Sequence, residues 1–243
     1  MKNIQYLILF CATCMFLTSC DKYKNSAEPS TVTYLPKITM MGESDIVLDC
    51  TATSYTDEGA IAEEAGSQIP VTTTITGHYY GSNAVDGVDQ YEITYSAENK
   101  DGIPGAAMRS VLWPACNGDL VNSIAGMYTA DVARNGSITP QYQGLGPIIV
   151  KDLGNGEYQI SDAIGGYYDY GRGYGFHYAA LGMVVKANHI PSNDFTHDDV
   201  VPVGDFGGNL TMTEFSVDPG TKTITFTTEW DLGYVFEVTM TQN

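Results

Sequence analysis

Apolar and polar positions alternate with a period of two along much of the chain, the pattern of strands that bury one face. The clearest run is Tyr91-Glu-Ile-Thr-Tyr-Ser-Ala97, which sets Tyr91, Ile93, Tyr95 and Ala97 on one side. Around it lie Ile46-Val-Leu, Ala60-Ile-Ala, the β-branched Pro70-Val-Thr-Thr-Thr-Ile-Thr76 and Ala107-Met-Arg-Ser-Val-Leu-Trp113. Turn signals separate them at Tyr55 to Gly59 and at Lys100-Asp-Gly102. About seven short strands over residues 34–113 predict an immunoglobulin-like sandwich.

Pro114-Ala-Cys-Asn-Gly118 breaks the alternation, so residues 114–122 read as a linker. Beyond it, Arg134-Asn-Gly136 and Gly154-Asn-Gly156 are two-residue hairpin signals, since Asn and Gly accept the positive φ such turns need. Asp218-Pro-Gly-Thr221 is a further turn. Between the turns run strand-like segments up to Tyr234-Val-Phe-Glu-Val-Thr-Met240, and no run carries a helical period. Residues 123–243 are therefore expected to form an antiparallel β-sandwich or a small β-barrel, which makes the whole chain all-β.

One stretch stands apart. Gly165 to Tyr178 holds six aromatic residues in fourteen, against 11% in the whole chain. Written as a strand, it places Tyr168, Tyr170, Arg172, Tyr174, Phe176 and Tyr178 on one face, opposite Gly171, Gly173 and Gly175. That face is either a ligand platform or a core face whose bare reverse side admits another element. As a platform, its rings suit the apolar C–H faces of sugars, with Asp169 and Arg172 as partners for hydroxyls. Tyr168, Asp169, Tyr170, Arg172, Tyr174 and Tyr178 are the candidate ligand-binding residues. Trp113 and Trp230, in apparent strands, are read as core.

Charge and the N-terminus narrow the setting. A formal charge of -18 argues against nucleic acid and anionic lipid headgroups as partners and favours neutral or cationic ligands. A short polar start, the apolar run Ile4 to Phe16 and then Leu17-Thr-Ser-Cys20 resemble a bacterial lipoprotein signal peptide and lipobox. That resemblance implies removal of residues 1–19, lipidation of Cys20 and a membrane anchor, with residues 20–33 as a tether. Cys11 and Cys14 then leave with the signal peptide. Cys50 and Cys116 remain, either as a disulfide, which export permits, or as two separate buried thiols.

Candidate chemistry is sparse. Asp57, Glu58 and Asp101 at strand ends are either Ca²⁺ ligands or acceptors for nearby backbone. His189, His197, Asp194, Asp198 and Asp199 lie in a Pro/Asn/Asp-rich stretch read as a solvated loop, without metal-ligand spacing. No nucleophile elbow, phosphate loop or dinucleotide fingerprint is present, so no catalytic residue, metal or cofactor is assigned and no enzymatic activity is expected.

Two resemblances add to this. Ile38-Thr-x-x-Gly42, Tyr55-Thr-Asp-x-Gly-Ala60, Tyr91-x-Ile-x-Tyr-x-Ala97, Asp101-Gly and Arg109-x-Val look like the bacterial surface immunoglobulin-like domain, also found in a pesticidal crystal toxin. Asp49-Cys50, where that family usually has Gly, and the longer 77–89 connection depart from it. The family implies a spacer rather than catalysis. Gly126-x-Tyr-Thr-Ala, Gly156-x-Tyr-x-Ile-Ser-Asp162, the 165–175 stretch and Gly233-Tyr-Val-Phe-x-Val-Thr resemble an uncharacterised lipoprotein family of gut anaerobes. That family is often encoded with polysaccharide-utilisation machinery. The resemblance implies an outer-membrane, cell-surface lipoprotein that captures polysaccharide or oligosaccharide for an outer-membrane importer complex. The alternative is a structural spacer or protein-interaction component of such a complex.

Overall fold

Seven strands precede the predicted linker, and they form two sheets over one core. In this computed structural model, which describes residues 32–243, strands β1 (Lys37–Met40), β3 (Ala60–Glu64) and β4 (Ser67–Ile69) make a three-stranded antiparallel sheet. Strands β2 (Asp45–Val47), β7 (Pro104–Trp113), β6 (Asp89–Glu98) and β5 (Thr72–Gly77) make the second, with β2 parallel to β7 and the other pairs antiparallel. The alternation read from the sequence is β6, whose Tyr91, Ile93, Tyr95 and Ala97 are all buried. Tyr91, Ile93 and Tyr95 pack with Val111 and Trp113 of β7 and with Ile38, Met40 and Ala60 from the facing sheet. The lipobox, Cys20 and nearly all of the expected tether lie outside the described residues.

A charge sits inside this sandwich. Arg109 is fully buried, and its guanidinium pairs with Asp57 and donates to the carbonyls of Met41 and Glu43. Asp57 also accepts from the Tyr95 hydroxyl at 2.7 Å, the Tyr55 hydroxyl at 3.1 Å and the Gly59 N–H at 3.1 Å. A buried guanidinium needs both a counter-charge and acceptors, and this site supplies them. Asp57 accepts one nearby backbone N–H, from Gly59, and otherwise serves Arg109 and two phenols that the sequence reading did not name.

Cys50 and Cys116 form a disulfide with Cα atoms 5.0 Å apart across 66 residues of sequence. The bridge ties the turn after β2 to the segment that follows β7.

The remaining strands form one sheet, antiparallel throughout. They are β8 (Gly126–Arg134), β9 (Ser137–Ile138), β10 (Leu145–Gly154), β11 (Glu157–Ile160), β12 (Val184–His189), β13 (Asp194–Thr196), β14 (Val200–Val203), β15 (Gly207–Asp218), β16 (Thr223–Trp230) and β17 (Tyr234–Gln242). Their order is β13-β12-β11-β10-β8-β17-β16-β15-β14, with β9 added to β8. The predicted hairpins are present. Asn135 and Gly136 have φ of 50° and 71°, and Asn155 and Gly156 have 54° and 78°, so both turns take the positive φ that those residues accept. The stretch 188–199, read as a loop, instead contains β13, paired with β12.

The sheet curls into a half-barrel. Its ends approach each other where Phe195 meets Phe215 at 4.8 Å between ring centres and Asn193 Oδ1 accepts from the Val217 N–H at 2.7 Å. The inner face carries Tyr128, Ala130 and Val132 of β8, Phe236, Val238 and Met240 of β17, and Ile224, Phe226 and Trp230 of β16.

What fills the curl is the aromatic stretch, and it is not a strand. Gly165 and Gly166 turn the chain at φ of 63° and 79°. Asp162 holds the turn by accepting N–H donors from Ile164, Gly166 and Ala180. Tyr167–Gly171 then winds a single π-helical turn, in which Gly171 and Arg172 donate to the carbonyls of Gly166 and Tyr167. A Cβ on Gly165 would lie 2.7 Å from Val238 and 2.8 Å from Val132, so only glycine lets this turn sit on the sheet. The single five-ring face expected of an extended ribbon does not exist, because the turns send the rings in different directions.

Candidate functional site

The rings of 165–178 divide into three groups. Tyr167 points into the curl, stacked on Tyr142 with ring centres 4.0 Å apart and with Phe236 at 5.3 Å. Tyr170 and Phe176 turn towards the seven-stranded sandwich. The Tyr170 hydroxyl lies 2.6 Å from that of Tyr79, and Phe176 stacks on His78 at 3.9 Å between ring centres. Asp169 goes with them, its buried carboxylate accepting from the Tyr79 hydroxyl at 2.9 Å. Burial pushes the Asp169 carboxyl above its ordinary value and the His78 imidazole below its own. Asp169 and Tyr170 therefore do not meet the other candidate residues. They bind the 77–89 connection to the curled sheet, within the one compact unit formed by Leu35–Asn243.

Tyr168, Tyr174 and Tyr178 do come together, at the rim of the curl. Tyr174 is 50% exposed and lies 5.3 Å from Tyr178, ring centre to ring centre. Tyr178 in turn meets Phe206, 44% exposed, at 4.8 Å. Behind this surface Tyr168 is buried, lying parallel to Tyr174 at 6.2 Å and 4.9 Å from Phe206. Trp230, also buried, backs Phe206 at 6.1 Å and Tyr234 at 5.8 Å. The Trp230 indole N–H donates to the Gly207 carbonyl at 3.1 Å, which fixes its plane. Two short 3-10 turns, Phe176–Tyr178 and Gly204–Phe206, carry Tyr178 and Phe206, and Tyr174 lies just before the first of them. A Cβ on Gly204 would strike the His177 carbonyl, so the close approach of these turns depends on that glycine.

The result is an open surface of rings in several orientations, held by buried aromatic residues beneath. Tyr174 and Phe206 are the exposed large hydrophobic residues of this group. Chemically the surface can stack on flat apolar faces.

Arg172 is exposed, with its guanidinium carbon 5.7 Å from the Tyr142 ring centre and 5.9 Å from that of Tyr167. Arg134, at the end of β8, lies 5.0 Å from the Tyr167 centre and 4.8 Å from that of Tyr234. Phe206, Tyr234 and Arg134 were not found from sequence, and Trp230 was found only as a core residue. They lie far along the chain from residue 174, and only the curl brings them beside it.

Elsewhere, His189 Nδ1 lies 2.8 Å from the Ser192 hydroxyl, and Asp194 accepts from Asn188 at 3.1 Å. Among the described residues no group of three or more His, Cys, Asp or Glu is placed to hold a metal. Asp162, fully buried, has its carboxyl pushed up to about 7 by desolvation, which outweighs its three N–H donors.

A family model whose description reads "-like, C-terminal domain" matches residues 117–242. Among solved structures, the crystal structure of the lipoprotein BT2262 from Bacteroides thetaiotaomicron is similar, with a TM-score of 0.56 and 25% sequence identity. The match covers 86% of this chain and 100% of that one. No curated protein sequence matches.

Proposed function

We propose that this chain, a member of the family defined by that C-terminal domain, is a lipid-anchored, non-catalytic surface protein that captures glycan on its aromatic rim. The observation that carries this reading is the paired exposure of Tyr174 and Phe206 over buried Tyr168 and Trp230. Rigid rings offer contact area to the C–H faces of sugars at little entropy cost. The lipobox-like Leu17 to Cys20 and the similarity to a Bacteroides lipoprotein support the anchor and a place among the lipoproteins of gut anaerobes. In this reading Cys20 carries the lipid at the outer membrane. The first sandwich, immunoglobulin-like in its sequence motifs, acts as spacer, and the captured chain passes to a polysaccharide-utilisation importer.

The test is calorimetric titration of the mature chain with a panel of neutral and charged polysaccharides, beside a Tyr174→Ala/Phe206→Ala double variant. Both side chains are half-exposed, so the variant keeps the fold. Binding by the wild type that the variant loses supports the rim as the site. Binding that survives moves the site elsewhere. Absence of binding to every glycan refutes capture and favours a spacer or partner-docking role.

A further inference from the structure

The chain is strongly acidic, with 29 Asp and Glu against 11 Lys and Arg. Its arginines are Arg109, Arg134 and Arg172. Arg109 is committed to Asp57 inside the sandwich. The other two converge on one ring, with guanidinium carbons 5.0 Å and 5.9 Å from the centre of Tyr167. The ion pairs among the described residues are Lys100–Asp101, Arg109–Asp57 and Lys186–Glu157, so neither Arg134 nor Arg172 has a carboxylate partner there.

Arg134 and Arg172 both approach the same ring, Tyr167. What holds them is aromatic. Arg134 lies between Tyr167 and Tyr234, and Arg172 lies over Tyr142 and Tyr167. Each guanidinium also has a phenol beside it, Tyr167 for Arg172 and Tyr168 for Arg134, while no carboxylate pairs with either, which leaves their charge available to an anion.

They also border the rim. Arg172 precedes Tyr174 by two residues, and Tyr234 beneath Arg134 packs on Trp230, which backs Phe206. Burial raises the Tyr168 phenol, and the Arg134 guanidinium beside it opposes that rise, which places this cation next to the ring under the patch.

We infer that the rim takes an anionic sugar: a glycan residue whose carboxylate or sulfate group accepts hydrogen bonds from Arg134 and Arg172 while its pyranose face lies on Tyr174 and Phe206. This rests on the glycan-capture reading and narrows its ligand class. It reverses the preference for neutral or cationic ligands drawn from net charge, because two local guanidiniums outweigh distant, solvent-screened carboxylates.

The experiment titrates the mature wild-type chain with an oligogalacturonate, a sulfated chondroitin oligosaccharide and a neutral galactan of similar length, each at low and physiological salt. The expected result is binding of at least one anionic chain on the order of tenfold or more tighter than the neutral one, weakening as salt rises. The two anionic probes separate carboxylate from sulfate. Arg172→Gln, at an exposed position, should remove most of that advantage, and Arg172→Lys should restore part of it. Equal or tighter binding of the neutral chain overturns the inference and leaves glycan capture standing. Selectivity for anionic chains that neither Arg172→Gln nor Arg134→Gln reduces overturns it as well. Failure of all three probes overturns the inference, and the wider polysaccharide panel then decides whether glycan capture stands.

Discussion

Replacing Asp57 with alanine should destabilise the first sandwich more than almost any other single change, although Asp57 lies in a turn. Its carboxylate faces Arg109, whose side chain has no exposed surface, and takes hydrogen bonds from the Tyr95 hydroxyl at 2.7 Å, the Tyr55 hydroxyl at 3.1 Å and the Gly59 N–H at 3.1 Å. The alanine variant keeps a buried guanidinium with two carbonyl acceptors and no counter-charge, and strands the donors that Asp57 served. Removing one partner of a buried pair costs about 3–5 kcal/mol. For the compact unit Leu35–Asn243 that corresponds to a fall of roughly 6–20 °C in Tm. The two tryptophans give the assay, since Trp113 lies in the sandwich core and Trp230 in the curled sheet. Denaturant unfolding followed by fluorescence in a Trp230→Phe background reports the sandwich alone. An Asp57→Leu/Arg109→Met double variant removes both charges and should lose much less than Asp57→Ala. The reasoning fails if Asp57→Ala costs under about 1 kcal/mol, or if the double variant loses as much as the two single changes added together.

Two further outcomes follow. Asp162 holds its proton more tightly folded, at about 7, than its ordinary value of 3.8. Stability should therefore rise as pH falls from about 7 towards 4, by at most about 4 kcal/mol from this group. Below about pH 4 the trend reverses, because Asp49, Asp119 and Asp218 are held below their ordinary values by nearby donors. Denaturation midpoints should peak near pH 4–5, and Asp162→Asn should flatten the fall above the peak; midpoints that rise from pH 5 to 7 would contradict this. Tyr79→Phe removes the hydroxyl shared by Asp169 and Tyr170 and should cost about 1–3 kcal/mol, read from the Trp230 signal. No change there would mean that the phenol network does not hold the junction.

Most of the strand structure was legible because its causes are local. The alternation of 91–97 and the Asn-Gly turns at 135 and 155 need only near neighbours, and all three appear as read. The aromatic stretch departs from the strand that its alternation of rings and glycines predicts. Its geometry is decided by two consecutive glycines in the left-handed region and by the Asp162 carboxylate accepting from 164, 166 and 180. Its partners are remote as well, Tyr79 lying 90 residues from Asp169. Tyr174 and Tyr178 were found by their density of rings. Phe206, Tyr234 and Arg134 carried no such local signal, and net charge, a sum over the whole chain, hid the two arginines that face one ring.

The near-closure of the curled sheet bears on how such a protein survives crowding. A long outermost strand offers a row of free backbone donors and acceptors that can recruit a strand from another molecule and seed aggregation. Strand β14 covers β15 only from Gly207 to Thr211. Beyond that point, Asn193 accepts the Val217 N–H, the His197 ring lies 3.1 Å from the Met212 carbonyl, and Phe195 lies against Phe215. Side chains thus take the place of a missing strand, and the β15 margin that would otherwise template polymer growth is occupied from within its own chain.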